Sequence, residues 1–254
     1  MKFLVLRKHT LKIAFLAIIV SVLLCVPFGE NSASSVFFGD NLRKVPIYNV
    51  QTEEKKVALS FDAAWGADKT VGIINTLKEY NVKATFFLVG FWVEDYPEEA
   101  KAVAENGFEI GTHSNTHPDM VKLTKEQMHL ELETSMNIIK DTTGQTPKIF
   151  RAPFGSYNNT LLDTAESLGL KTIQWDVDSL DWKGLSASEI CSRIMSKVKS
   201  GSIILCHNNS DHILDALPSL LERLKMQGYT VCSVGDLIYD DGYTIDRAGV
   251  QKKI

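Results

Sequence analysis

The sequence predicts an α/β fold in which short parallel strands alternate with helices and form a (β/α) barrel. Apolar runs rich in β-branched and aromatic residues recur along the chain at the spacing of strands separated by helices. Gly107, Gly169 and Gly228 stand directly before such runs, where a residue of positive φ ends a helix. This alternation implies parallel pairing with right-handed crossovers, and about seven repeats favour a barrel.

The expected strands are seven apolar runs, at 57–61, 84–89, 108–111, 149–151, 171–175, 202–206 and 230–233. Two of the intervening helices carry a specific start signal. Thr124 with Gln127 and Ser186 with Glu189 fit the capping box, in which two side chains satisfy the first free N–H groups of a helix. Helices therefore begin directly after positions 124 and 186.

The composition is that of one full-sized globular domain, with 254 residues, 44% hydrophobic and 23% charged. The net charge is −4, from 27 basic and 31 acidic residues. Four of the basic residues lie in 1–12, and the remaining 23 against 31 acids give −8. An acidic domain without a basic run is a poor ligand for phosphate backbones, so nucleic acid is excluded as the expected partner.

The N-terminus has the pattern of an export segment. Residues 1–12 are basic, and residues 13–29 are apolar and uncharged. This run is longer than a usual signal core and slightly shorter than the ~20 residues of a full membrane span. The sequence favours a membrane anchor with the domain outside the cytoplasm, while small residues near Ala33 and Ser35 leave cleavage of a secretion signal open. Residues 30–54 are expected to be a stalk, 55–236 the domain and 237–254 a polar tail.

The four cysteines form no C-x-x-C pair, and Cys25 lies in the apolar N-terminal segment, so no disulfide framework is expected. Cys206 precedes His207 and could be a nucleophile. Its position at the end of an apolar run favours a buried, inert thiol instead.

Polar, chemically capable residues follow five of the expected strands. Because the carboxyl ends of barrel strands meet on one face, these side chains are predicted to share a site. They are Asp62 after the first strand, His113 and His117 after the third, Arg151 at the end of the fourth, Asp178 beyond the fifth and His207 after the sixth. Each alone has an ordinary structural explanation, but together they indicate one hydrolytic centre. The imidazoles of His113 and His117, four residues apart on a turn, are suited to one divalent ion.

The ordered motifs resemble the polysaccharide deacetylases of carbohydrate esterase family four, the NodB-homology domain, over residues 55–236. The motifs are Ser-Phe-Asp at 60–62, His-Ser-Asn-Thr-His at 113–117, Arg-Ala-Pro-Phe-Gly at 151–155, Asp-Ser-Leu-Asp-Trp at 178–182 and Leu-Cys-His at 205–207. Within the family, the sequence is most similar to membrane-anchored deacetylases of spore-forming bacteria. The resemblance implies a distorted (β/α) barrel that removes N-acetyl groups from peptidoglycan or chitin-like sugars of the cell wall.

The resemblance also implies roles for the motif residues. A divalent metal, most simply Zn with Co or Mn as alternatives, would bind His113 and His117 and activate water and the acetyl carbonyl. Asp62 would be the general base, paired with Arg151, and His207 the general acid.

Further roles follow from the same resemblance. Asp178 would hold the imidazole of the general acid, and the backbone N–H of Tyr157 would bind the oxyanion. Trp182, Leu205 and Pro153 would bind the sugar.

The sequence departs from the family pattern at Ala63, where a second aspartate normally completes the metal site. Asp68 could supply the missing carboxylate or cap the following helix, and the cap is favoured. A second hypothesis follows, a catalytically degenerate domain that binds wall glycan or serves a structural role. A metallopeptidase is disfavoured because the chain has no H-E-x-x-H motif.

Overall fold

The computed structural model describes residues 43–254. The expected basic N-terminus, the apolar segment 13–29 and the first part of the stalk lie outside the described residues. From 43 onward, no helix is long and apolar enough to cross a membrane.

The described chain contains eleven strands, and all seven expected strands are confirmed among them. They are β1 (Asn49–Val50), β2 (Lys56–Ala63), β3 (Thr85–Leu88), β4 (Glu109–Thr112), β5 (Ile149–Phe150), β6 (Lys171–Thr172), β7 (Val177–Asp178), β8 (Ile203–His207), β9 (Thr230–Cys232), β10 (Tyr243–Ile245) and β11 (Val250–Lys253).

Helices occupy most of the connections between the strands. They are α1 (Thr70–Glu79), α2 (Gly90–Asp95), α3 (Pro97–Glu105), α4 (Lys125–Thr143), α5 (Asn159–Ser167), α6 (Ala187–Met195), α7 (Ile213–Met226) and α8 (Val234–Leu237). Both expected capping boxes are present, at the starts of α4 and α6. Three short 3₁₀ helices, Met120–Lys122, Pro153–Gly155 and Asp181–Lys183, lie in the connections that carry the motifs.

The main sheet is parallel and open. Its strand order is β6-β5-β4-β3-β2-β8-β7, with β9 also pairing with β2. This arrangement confirms an α/β fold of parallel strands. The strands form a half-barrel, which supports the expected distorted barrel and stays open because β6 and β7 do not pair. Ile47 instead lies beside β6, where it donates to the Thr172 carbonyl at 3.0 Å, and Val50 donates to the Gly201 carbonyl at the start of β8 at 2.9 Å. The segment before β2 thus spans the gap between the two ends of the sheet.

The two faces of the sheet are separated by strand alternation. Leu59 and Phe61 of β2 pack in the large core against the outer helices. Ala58 of the same strand packs in a smaller inner cluster with Phe87 of β3. Asp62 therefore lies on the inner face of β2, at its carboxyl end.

The folded unit is longer than the expected domain 55–236, because it runs from Lys44 to Ile254. Part of the expected stalk is β1, whose Val50 is 2% exposed. The expected polar tail forms β10 and β11, which pair with β1 in a separate three-stranded sheet. The sequence pattern did not indicate these strands, because β10 has only three residues and β11 is largely polar.

Candidate active site

Neighbouring strands bring Asp62 and His207 side by side. The two residues are register partners in the parallel pairing of β2 and β8. Asp62 is also the register partner of Phe87 on β3, on the other side. The inner faces of three adjacent strands therefore meet at the position of the Asp62 carboxylate.

Asp62 forms a buried ion pair with Arg151. The Arg151 Nη1 donates to Asp62 Oδ1 at 2.7 Å, and neither side chain is more than 7% exposed. The guanidinium also lies 4.0 Å from the centroid of the Phe87 ring and donates through Nη2 to the Gln174 carbonyl at 3.2 Å. Burial alone would raise the pKa of Asp62, but the positive charge of Arg151 and the nearby imidazoles outweigh it and lower the pKa. The carboxylate is thus ionised in a dry environment.

His113 is oriented by the backbone of the same arginine. Its Nδ1 lies 2.7 Å from the Arg151 carbonyl oxygen, which can only accept, so Nδ1 carries the proton. The unprotonated Nε2 lies 3.5 Å from Asp62 Oδ2. Burial lowers the pKa of His113 and keeps the ring neutral. A lone pair is therefore directed into the site.

His117 is the second imidazole of the site. Its ring centroid lies 5.0 Å from that of His113. The residue has φ 55°, an uncommon value for a side chain of this size, and its N–H donates to Ser114 Oγ at 3.0 Å. Burial and the neighbouring His113 lower the pKa of His117 to about 4, so this ring is also neutral at physiological pH.

Glu131 of α4 fixes the loop that carries these two histidines. Its Oε2 accepts from the backbone N–H groups of Asn115 at 2.9 Å and Thr116 at 2.8 Å. Its Oε1 accepts from the Thr116 hydroxyl at 2.7 Å. Glu131 was not predicted as a functional residue, because nothing in the sequence relates a mid-helix glutamate to a loop fifteen residues earlier.

The side chains at the site supply only some of the ligands that a divalent ion needs. Two neutral imidazoles are suitable ligands, but catalytic zinc sites usually have three protein ligands. Among the described residues, no three His, Cys, Asp or Glu side chains form a group that could hold a metal. Ala63 is fully buried and has no ligand atom. Asp68 is 70% exposed at its side chain and pairs with Lys69 at 3.0 Å, so it lies apart as a surface ion pair.

The favoured capping role of Asp68 is also wrong. The N-cap of α1 is Lys69, and no side chain caps this helix.

His207 is held by Asp181, which corrects the expected pairing with Asp178. Asp181 Oδ1 lies 2.7 Å from His207 Nδ1, and Oδ2 accepts from the His207 backbone N–H at 2.9 Å. Asp178 Oδ1 instead accepts from the Leu180 N–H at 2.8 Å. Burial alone would lower the pKa of His207, but the hydrogen bond and charge of Asp181 outweigh it and raise the pKa. The imidazole is therefore stabilised in its protonated form.

The residues expected to contact substrate differ in how far their side chains are exposed to solvent. Trp182 is 59% exposed in the 3₁₀ helix that also contains Asp181. Leu205 is 3% exposed and lies two residues before His207 on β8. Pro153 is buried at the start of its 3₁₀ helix, and the Tyr157 hydroxyl lies 3.4 Å from that of Tyr48.

Two exposed aromatic residues at the site were not predicted as substrate contacts. Trp65 is 55% exposed and Phe154 is 69% exposed, and both rings contact the His117 ring. Trp65 follows Asp62 by three residues, and Phe154 follows Arg151 by three residues. This closeness in sequence could have identified both as residues of the site. Cys206, in contrast, is fully buried, and burial raises the pKa of its thiol well above the usual value. The expectation of a buried thiol is confirmed.

Comparisons with known proteins agree with this geometry. A family model described as polysaccharide deacetylase matches residues 49–173. The peptidoglycan-N-acetylmuramic acid deacetylase PdaA of Bacillus subtilis is 31% identical over 197 residues, which cover 76% of this chain and 75% of PdaA. The chain belongs to the polysaccharide deacetylase family. Another family member, the peptidoglycan-N-acetylglucosamine deacetylase PgdA of Listeria monocytogenes, is 34% identical over 76% of this chain, which spans only 41% of PgdA.

The fold matches a solved family member with a different functional description. BA3943 from Bacillus anthracis, described as a CE4 family pseudoenzyme, aligns with a TM-score of 0.75 and 32% identity over 83% of this chain and 70% of that one. A BA3943 mutant described as having restored enzymatic activity aligns equally well, with a TM-score of 0.75. The polysaccharide deacetylase family thus includes at least one similar member described as a pseudoenzyme.

Proposed function

We propose that this chain hydrolyses the N-acetyl groups of amino sugars in cell-wall polysaccharide, either peptidoglycan or a chitin-like glycan. The observation that carries the proposal is that Asp62 and His207 lie side by side on adjacent strands with opposite pKa shifts. The pKa of Asp62 is lowered, which favours the carboxylate, and the pKa of His207 is raised, which favours the imidazolium. Hydrolysis of an amide needs a base for water and an acid for the departing amine. The two groups are held in those opposite states by different buried partners, Arg151 and Asp181.

In this mechanism Asp62 is the general base. Arg151 occupies Oδ1, so Oδ2, on the side of His113, is the oxygen that takes the proton from the attacking water. His207 is the general acid. Its Nδ1 proton is bound to Asp181, so Nε2 is the atom that delivers a proton to the amine of the sugar.

A divalent metal, in our proposal zinc, would be held by His113 Nε2 and by the ring of His117. When bound, it would lower the pKa of water and polarise the acetyl carbonyl. Because Ala63 supplies no carboxylate, this ion would be weakly held. The Tyr157 backbone N–H is proposed to bind the oxyanion, and Trp182, Leu205 and Pro153 to contact the sugar.

The test is the release of acetate from purified peptidoglycan and from chitin oligomers by the full-length chain, with and without added zinc. Wild-type protein should release acetate, and Asp62→Asn should lower the rate by at least ~100-fold, because an amide cannot accept the proton. Leu130→Ala, an exposed substitution on α4, is the matched control and should retain activity. No acetate from the zinc-supplemented wild type would refute the proposal.

A second candidate function is glycan binding without catalysis. It is favoured by the absence of a carboxylate at Ala63 and by the similarity to BA3943, itself described as a pseudoenzyme. The two functions differ in the Asp62→Asn variant, because a binding role survives this change and hydrolysis does not. Retained glycan binding with no wild-type acetate release would select the second function.

We also propose that the protein is exported and anchored by residues 13–29, with the domain outside the cytoplasm, as in the sporulation-type deacetylases that its motifs resemble. The support is the uncharged apolar run after a basic start. Protease treatment of intact protoplasts tests this. Digestion of the domain and its recovery with membranes would support the anchor, and its release into the medium would support a cleaved signal.

A further inference from the structure

Trp65 lies at the mouth of the site, yet neither the base nor the acid requires it. It follows Asp62 by three residues in the connection between β2 and α1. Its ring centroid lies 4.7 Å from that of His117 and 6.4 Å from that of Phe91. More than half of the side chain, 55%, is exposed, so packing against these neighbours buries only part of the indole.

The loop is built so that Trp65 stays in this position. Gly66, the next residue, has φ 61°, a value that glycine adopts at little cost. Its carbonyl accepts two hydrogen bonds, from Trp92 Nε1 at 2.7 Å and from Asn208 Nδ2 at 2.8 Å. Both donor residues are fully buried. The backbone next to Trp65 is therefore anchored to the core, while the indole faces outward over the site.

Phe154 supplies a second exposed ring at the same imidazole. Its centroid lies 4.8 Å from that of His117, and 69% of the residue is exposed. Phe154 also has φ 60°, a left-handed backbone conformation that is strained for a residue other than glycine. Burial does not offset this strain. A strained backbone that presents an aromatic ring to solvent beside a catalytic group is typical of a ligand-binding position.

We infer that Trp65 is a substrate-binding residue that stacks on the apolar face of a sugar at the site, with Phe154 as the second aromatic wall. This inference rests on the proposed function for the identity of the ligand, an N-acetylated hexosamine in a glycan chain. Pyranose rings have a C–H face that packs on aromatic surfaces, and the polar edge remains available to the base and acid. Trp65 thereby determines glycan affinity rather than the chemical step.

The experiment measures glycan binding and turnover separately, with the full-length chain. The probe is the β-1,4-linked tetramer of N-acetylglucosamine, with binding followed by equilibrium dialysis of labelled tetramer and turnover by acetate release. Trp65→Ala should raise both Kd and KM about tenfold, with a smaller change in kcat, because the lost contact acts on bound substrate and transition state alike. Trp65→Phe should restore most of the affinity, since a smaller ring still stacks.

Met226→Ala, an 86% exposed substitution at the end of α7, is the control and should bind the tetramer like the wild type. Equal thermal melting of all variants excludes unfolding as the cause. Unchanged Kd and KM in Trp65→Ala, with normal acetate release, would overturn the inference and leave the proposed function intact. Trp65-dependent binding without any acetate release would support the inference and refute the proposed hydrolysis.

Discussion

Asp62 and His207 have different buried partners, and these partners set opposite protonation states. Asp62 lies against the Arg151 guanidinium, which lowers its pKa despite burial. His207 lies against Asp181, which raises its pKa despite burial. In both cases the paired charge outweighs desolvation, as expected for hydrogen-bonded partners at 2.7 Å. The proposed division of roles between base and acid therefore depends on single side chains that can be replaced.

Replacing Asp181 tests the acid. In Asp181→Asn the partner charge is lost, so the pKa of His207 falls and the protonated form is lost at lower pH. A general acid works only while protonated, so the alkaline limb of the pH–rate profile of kcat/KM should move to lower pH, and the rate at neutral pH should fall roughly 10–100-fold. Asp178→Asn is the matched control, because Asp178 hydrogen-bonds the Leu180 N–H instead of the imidazole. A larger displacement of the limb in Asp178→Asn than in Asp181→Asn would contradict this assignment.

Replacing Ala63 tests the metal site. Ala63→Asp should tighten zinc binding roughly tenfold or more by adding a third ligand to two imidazoles, as measured by calorimetry. Because the position is fully buried, the metal-free variant should be less stable than wild type by at least ~1–3 kcal/mol, and zinc should restore its melting temperature.

Ala64→Asp, one residue further and 5% exposed, is the control for Ala63→Asp. It should lose stability in the same way without rescue by zinc. Equal zinc rescue of both variants, or of neither, would show that position 63 does not complete the site.

The sequence alone did not show which of two aspartates, Asp178 or Asp181, holds His207. The motif contains Asp178 and Asp181, three residues apart, and Asp178 was the predicted partner of His207. Between them the chain turns at Leu180, which has φ 53°, and this turn directs Asp181 back to His207. A left-handed leucine has no sequence signal, whereas Asp62, His113, Arg151 and His207 were found because each follows or ends a recognisable apolar strand.

At the scale of elements, α4 supports the histidine loop in addition to covering the sheet. Glu131 projects from its second turn and accepts three hydrogen bonds from Asn115 and Thr116. The loop between His113 and His117 needs this support, because both Ser114 and His117 have positive φ. One carboxylate thus holds a strained turn that carries both imidazoles.

Glu131→Ala should destabilise the protein by about 1–3 kcal/mol, because two backbone N–H groups lose a charged acceptor. It should also weaken zinc binding, since the two imidazoles are no longer held together. Chemical denaturation and calorimetry measure the two effects. Glu133→Ala on the same helix is the matched control, because the Glu133 side chain is 54% exposed and pairs with His129 at 3.7 Å on the surface. It should change stability by less than about 0.5 kcal/mol. Equal effects of the two substitutions would contradict a specific role for Glu131.

The sequence predicted the buried apolar strands but not the shortest and most polar ones. The seven strands of apolar, β-branched sequence were all found, since their burial on both faces leaves a continuous hydrophobic run. β7 and β10 have only two and three residues, and β11 is largely polar, so neither period nor composition indicated them. The gap between β6 and β7 depends on which strands pair, and local sequence does not encode this pairing.

In the molecule as a whole, the candidate site and the small three-stranded sheet lie at opposite ends of the half-barrel. The site lies at the carboxyl ends of the strands, while the three-stranded sheet of β1, β10 and β11 lies toward their amino ends, where β1 contacts Gly201 and Ser202 before β8. In barrels of this kind the first face carries chemistry and the second carries stability. The C-terminal segment is therefore expected to stabilise the fold without taking part in the reaction.

Gln251 of β11 is the residue on which that expectation can be tested. It is fully buried, and its side chain accepts from the Tyr239 N–H at 2.9 Å and donates to the Tyr239 carbonyl at 2.8 Å. Gln251→Ala leaves the Tyr239 N–H without its acceptor, while the Tyr239 carbonyl keeps the Lys171 Nζ donor at 3.2 Å. The free energy of unfolding should therefore fall by about 1–3 kcal/mol in urea denaturation. The kcat/KM for acetate release, measured well below the melting temperature, should stay within about twofold of wild type. Arg247→Ala, exposed in the turn between β10 and β11, is the control and should change neither quantity. A large loss of kcat/KM in folded Gln251→Ala would show that the two ends of the molecule are coupled.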